Sequence, residues 1–86
     1  MPRYRLAIKS SAEKEMGRLA DDLHQKISDK ILKLAENPRP SGCVKLQGTD
    51  GYRLRFRQYR ILYTIDDGPS YLVTVYSVAH RREAYR

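Results

Sequence analysis

Eighty-six residues make one small domain, spanning 1–86, with room for a single core, because a chain this short buries only about 60 to 65% of its unfolded surface. Seventeen Lys and Arg against ten Asp and Glu give a formal charge of +7 and a pI near 9.8, which favours a polyanionic partner such as nucleic acid, an acidic protein or an anionic membrane. The lone Cys43 excludes an internal disulfide, no apolar run approaches the ~18 residues of a membrane span, and "MPRYRLAIKSS" lacks the apolar centre of a signal peptide, so the expectation is a soluble, cytoplasmic protein with no membrane role.

In chain order, "RYRLAIK" alternates Tyr4, Leu6 and Ile8 with Arg3, Arg5, Ala7 and Lys9, the period of a half-buried strand. Ser10 followed by Glu13 is a capping-box signal, and Ala12, Met16, Leu19 and Ala20 then recur at helical spacing. Gly17 weakens the end of this short helix and "ADD" interrupts it. A longer apolar stripe runs from Leu23 through Ile27, Ile31 and Leu34 until Asn37 and Pro38 stop it, which completes a helical hairpin. Residues 38–51, with two prolines and three glycines, read as a loop containing a brief extended piece at Val44 to Leu46.

After Gly51 the chain turns to strands. Tyr52, Leu54 and Phe56 face one side and Arg53, Arg55 and Arg57 the other; Tyr59, Ile61, Tyr63 and Ile65 then alternate with Arg60, Leu62 and Thr64. "DDGPS" is a turn, and "YLVTVYSVAH" reads as a central strand covered on both faces, followed by the basic tail "RREAYR". The expected fold class is α+β: a small single domain of β-α-α-β-β-β order with an antiparallel sheet packed on the helical hairpin.

Positive charge is used differently in the two halves. All six lysines lie between Lys9 and Lys45, mixed with acidic residues, whereas every basic side chain after Gly51 is arginine. Lysine and glutamate suit solvated helix faces, while the planar fork of arginine pairs with phosphate oxygens and stacks on bases. If Arg57 and Gln58 form a two-residue loop, Phe56 pairs with Tyr59, Leu54 with Ile61 and Arg55 with Arg60, so that Arg53, Arg55 and Arg60 share one face; a three-residue loop sends Arg60 to the other. Like charges side by side are costly unless an anion lies between them, which marks a phosphate site.

The segment "KLQGTDGYRLRFRQYRILYTIDD", followed by a hydrophobic strand and "VAHRREAYR", resembles the RelE branch of the RelE/ParE toxin superfamily over the whole chain. The resemblance implies a RelE-like, microbial RNase-type fold. It also implies a type II toxin that cleaves messenger RNA in the ribosomal A site and is held inactive by a RelB-like antitoxin, acidic or partly disordered, in a hetero-oligomer. The rival within the superfamily is a ParE-like toxin that poisons DNA gyrase without nuclease residues.

Position by position, the resemblance assigns Arg53, Arg55 and Arg60 as cationic site residues, His80 or Arg81 as the basic residue ending the last strand, and Tyr85 as the C-terminal tyrosine, orienting or stacking on a base. Lys45, Arg57, Arg81 and Arg82 join as RNA or phosphate contacts. Attack of a ribose 2′-OH on the adjacent phosphate needs a proton acceptor, a proton donor and cations for the transition state, with no cofactor and no metal. The paired carboxylates of the C-terminal half, Asp66 and Asp67, lie in a turn signal, so a metal-ion nuclease site is not expected. Arginine is a poor base, whereas histidine ordinarily titrates near ~6.5, so His80 takes the acid or base role. His24 reads as a surface residue and Cys43 as an inert thiol.

Overall fold

The computed structural model describes residues 3–80. Within it run β1 (Arg5–Ile8), α1 (Ser10–Gly17), α2 (Asp21–Leu34), β2 (Val44–Lys45), β3 (Gly51–Phe56), β4 (Tyr59–Asp66) and β5 (Leu72–His80). The strands form one sheet in the order β1-β5-β4-β3-β2. Every pairing is antiparallel except β1 with β5, which is parallel. The arginine-rich tail expected to carry Arg81, Arg82 and Tyr85 lies outside the described residues.

The apolar stripes meet where their periods predict. Ala12 and Met16 of α1, Ile27, Ile31 and Leu34 of α2, and Leu54, Ile61, Tyr63, Val73, Val75 and Val78 of the sheet make one core. Tyr63 is fully buried, and its hydroxyl donates to the carbonyl of Pro38 at 2.8 Å, so the polar tip of the largest core residue is satisfied.

Helix starts depart from expectation. Ser10 is the first residue of α1 rather than its cap; Lys9 takes that position in extended conformation, and no side chain caps the helix. The reason is that the strand runs straight into the helix: the Lys9 N–H is still bonded to the Val75 carbonyl as the last rung of the β1–β5 pairing. Asp21 and Asp22, read from the sequence as an interruption, form the first turn of α2, where two carboxylates complement the positive end of the helix dipole.

The β3–β4 loop has two residues, Arg57 and Gln58, and the register is Phe56 with Tyr59, Leu54 with Ile61 and Arg55 with Arg60. No glycine or asparagine supplies the turn; Arg57 itself adopts φ 56, a left-handed conformation that an arginine takes at some cost. In β5 the pairing with β4 slips between Leu62 and Tyr63: Leu62 faces Ser77 while Tyr63 faces Val75, leaving Tyr76 as the extra residue of a bulge. The bulge resets the alternation, so Val73 and Val75 are followed in the core by Val78 rather than Ser77.

Beyond Val75 no strand among the described residues flanks the outer edge of β5, and α1 takes over. Ser11 Oγ donates to the Tyr76 carbonyl at 3.0 Å, and a Glu15 carboxylate oxygen accepts the Val78 N–H at 2.9 Å and the Ser77 hydroxyl at 3.1 Å. Helix side chains thereby satisfy main-chain groups that would otherwise form an open edge.

Candidate nucleic-acid interface

The two-residue loop places the arginines as the alternation requires. Arg55 stands directly opposite Arg60, and Arg53 opposite Leu62, all on the side of the sheet away from the core. Their environments differ. Arg55 is exposed and Arg53 half-buried, but Arg60 is only 8% exposed, beside Leu62 at 9% and Ala79 at 5%. The middle of this face is therefore closed over, with Arg60 inside it and Arg55 at its rim. Arg53 and Arg60 are both engaged in contacts within the chain. Burial and these contacts hold the Arg60 side chain in place, whereas Arg55 can move.

Tyr76 also belongs to this face. A side-chain carbon added at Gly51 would lie 2.7 Å from the Tyr76 hydroxyl, so the bulged tyrosine reaches across β4 toward β3, and the buried Gly51 leaves room for it. The Tyr76 ring thus shares the outer face with the arginines, reaching toward the Gly51 end of β3 rather than the Arg55–Arg60 end.

His80 does not join the arginines. It pairs with Tyr59, while Ala79 pairs with Arg60, so the imidazole turns to the helix side of the sheet. There it packs edge-on against the Tyr59 ring, with centroids 5.5 Å apart, and its Nε2 lies 3.0 Å from Gln58 Oε1. It lines a pocket of about 170 Å³ with Glu15, Arg18, Leu19, Tyr59 and Val78. Arg55 and Arg60 thus lie at the same end of the sheet as His80 but on the opposite side of it. Arg57, exposed at the hairpin tip, lies between the two with its guanidinium carbon 5.1 Å from the Phe56 centroid.

Lys45 is placed elsewhere. It pairs with Tyr52 in β2, donates to the Thr49 carbonyl at 2.6 Å and sits 5.4 Å from the Tyr52 ring, on the helix side and a strand length from the hairpin tip. That end of the sheet carries a polar cluster that sequence reasoning missed. Arg39 makes a bidentate pair with Asp67 at 3.0 and 2.8 Å, its Nε donates to the Tyr52 hydroxyl at 3.2 Å, and the Tyr4 hydroxyl donates to Asp67 at 2.7 Å. Hydrogen bonds from Arg39 and then Tyr4 hold the Asp67 carboxyl down to about 2, and the same carboxylate raises both Arg39 and the Tyr4 hydroxyl. Burial pushes the Tyr63 hydroxyl up. Asp66, the other member of the carboxylate pair, accepts the Gly68 N–H at 3.0 Å. The cluster ties the 37–43 loop to the β4–β5 turn and to the start of β1; nothing in local spacing relates residues 4, 39, 52 and 67.

A two-helix, five-stranded α+β domain with arginines on the outer sheet face has the architecture of RelE-type toxins. A chain of the RelE–RelB complex from Pyrococcus horikoshii OT3 matches with a TM-score of 0.82 at 24% identity, covering 98% of this chain and 100% of that one. The intact E. coli RelBE toxin–antitoxin complex matches with a TM-score of 0.76 at 30% identity, covering 90% and 95%, and an E. coli RelE mutant bound to an antitoxin RelB peptide with 0.76 at 31%, covering 99% and 92%. Residues 6–85 match the sequence model described as ParE toxin of type II toxin-antitoxin system, parDE. The chain belongs to this family, within the RelE/ParE toxin superfamily, and its solved neighbours put it on the RelE-like side. Comparison with curated proteins finds no match.

Proposed function

We propose that this toxin is a ribosome-dependent endoribonuclease that cleaves messenger RNA in the A site by attack of a ribose 2′-OH on the adjacent phosphate, without a metal ion, and so inhibits translation. The observation that carries this reading is the cross-strand pair of Arg55 and Arg60. Two guanidiniums held opposite each other on a sheet repel, and a phosphate between them turns that cost into paired hydrogen bonds. Arg53 extends the cationic strip, and Tyr76 offers a ring for a base on the same face.

Arg60, fixed by burial, and Arg55, free to move at the rim, divide the work: one holds charge where the transition state develops it, the other captures the incoming strand. Proton transfer is assigned to His80. Because it lies across the sheet from the arginines, the RNA must pass over the sheet end at the hairpin tip for both sides to be used. A site split in this way lacks the close alignment that a 2′-OH attack requires, which supports dependence on the ribosome as an external scaffold. Arg81, Arg82 and Tyr85 remain proposed contacts at the same end of the chain. The partner in the resting state is a RelB-like antitoxin, as in the complexes of the E. coli and P. horikoshii relatives, and an acidic segment would neutralise part of the +7 charge.

Primer extension on cellular mRNA after brief induction tests the reading: cuts at fixed positions within codons of translated messages are expected, with slow cleavage of naked RNA. The alternative is the ParE-like activity suggested by the name of the matching family, inhibition of DNA gyrase. Intact messages together with inhibition of gyrase supercoiling in vitro would overturn the nuclease reading in its favour.

A further inference from the structure

We propose that Gln58 is a positioning residue for His80, fixing the proton of the imidazole on Nε2 so that proton exchange during cleavage falls to Nδ1. The inference rests on the assignment of His80 as the proton-transfer group, and it starts from a hydrogen bond. The Gln58 Oε1 atom lies 3.0 Å from His80 Nε2; an amide oxygen only accepts, so the contact is a hydrogen bond when Nε2 carries hydrogen, as it does in the charged ring and in one of the two neutral tautomers.

The geometry is built rather than incidental. Gln58 occupies the second position of a two-residue loop whose ends are locked by the Phe56–Tyr59 pair, so its backbone has little freedom. The ring of His80 is oriented by the edge of Tyr59, 82° from its plane, on the residue immediately after Gln58. Among the described residues, the charged and titratable groups sharing the pocket are Glu15 and Arg18 from α1 and Tyr59 from β4, and His80 makes a further contact within the chain.

An amide suits the task better than a carboxylate. Glutamate at this position would also accept from Nε2, but its charge would favour the imidazolium over the neutral base. Glutamine selects the tautomer without selecting the charge.

The experiment uses the full chain with ¹⁵N-labelled histidine. In the wild-type protein the His80 ¹⁵N shifts should show the Nε2–H tautomer. Gln58→Glu should move the His80 titration midpoint up by roughly one pH unit, and the acidic limb of the cleavage profile with it. Gln58→Leu should shift the tautomer balance away from Nε2–H and lower kcat about tenfold with KM little changed, an effect that a purely structural role at an exposed hairpin tip would not produce. His24, exposed on α2, provides an internal reference whose signals should not move. An Nδ1–H tautomer in the wild type, or an unchanged His80 midpoint in Gln58→Glu, overturns the inference. If tautomer and midpoint respond as expected but the wild-type protein cleaves no RNA on ribosomes, the positioning contact stands and the nuclease reading is what fails.

Discussion

Removing the Glu15 carboxylate is the most direct test of how α1 supports the sheet. Its oxygens accept from the Val78 N–H at 2.9 Å and the Ser77 hydroxyl at 3.1 and 3.4 Å, and Val78 is only 2% exposed. A hydrogen bond to a charged group contributes about 1.5 to 3 kcal/mol, and a buried N–H left without an acceptor costs about 1 to 3 kcal/mol. Glu15→Ala should therefore destabilise the fold by about 2 to 3 kcal/mol. Since 1 kcal/mol shifts the midpoint of a domain this size by about 4 to 8 °C, thermal unfolding should fall by about 10 °C or more. Glu15→Gln keeps an oxygen for Val78 and gives up the charge, so about 1 kcal/mol is expected. Urea denaturation followed by circular dichroism gives the ordering, and hydrogen exchange at the Val78 amide locates it: exchange there should accelerate more than in β3 or β4. A loss below about 0.5 kcal/mol for Glu15→Ala, the range of ordinary surface substitutions, would refute the account of Glu15 as an edge seal.

The arginine pair should show a conflict between stability and activity. Arg55→Ala removes an exposed charge facing Arg60, so stability should hold or rise by up to about 0.5 kcal/mol while cleavage of ribosome-bound mRNA falls about 10- to 100-fold; a stabilised variant with full activity would leave the phosphate clamp without support. Arg60→Ala, at a buried position, should lower stability and reduce cleavage about 100- to 1000-fold with an unchanged pH profile, measured on the variant at a temperature where it is folded. At the hairpin tip, Arg57→Gly accepts φ 56 without strain and Arg57→Val does not, so denaturation should rank glycine above valine by about 1 to 2 kcal/mol. For Asp67, whose folded-state value of about 2 lies below the ordinary 3.8, the stabilising contribution is present above pH 3.8 and is lost as pH falls toward 2. Carboxyl NMR should find the low midpoint, and Arg39→Met should return it toward 3.8.

The β3–β4 strands were legible from their alternation, while their register was left open between two loop lengths; the two-residue loop buries Leu54, Ile61 and Tyr63 together and sets Arg55 against Arg60. The helices were legible from their apolar stripes, apart from their first turns: Ser10 was misread because a cap depends on where the preceding strand releases the chain, and Asp21–Asp22 because an acidic pair between two apolar stripes reads locally as a break. The parallel pairing of β1 with β5 joins the two ends of the described chain, and no local pattern encodes it. The face of His80 was lost for a related reason. Its side depends on the bulge at Tyr76, where a half-polar "YS" gives the alternation no apolar residue to betray the slip. The Arg39–Asp67 pair spans two loops that composition marks only as polar.

The contact between α1 and β5 lets a helix close the edge of a sheet. Ser11 and Glu15, one turn apart on the same face of α1, meet the Tyr76 carbonyl and the Val78 N–H, the main-chain groups on either side of Ser77. Parallel pairing can thus stop after four residues, and the chain can turn into a helix at Ser10, while the strand it leaves continues five residues further to His80.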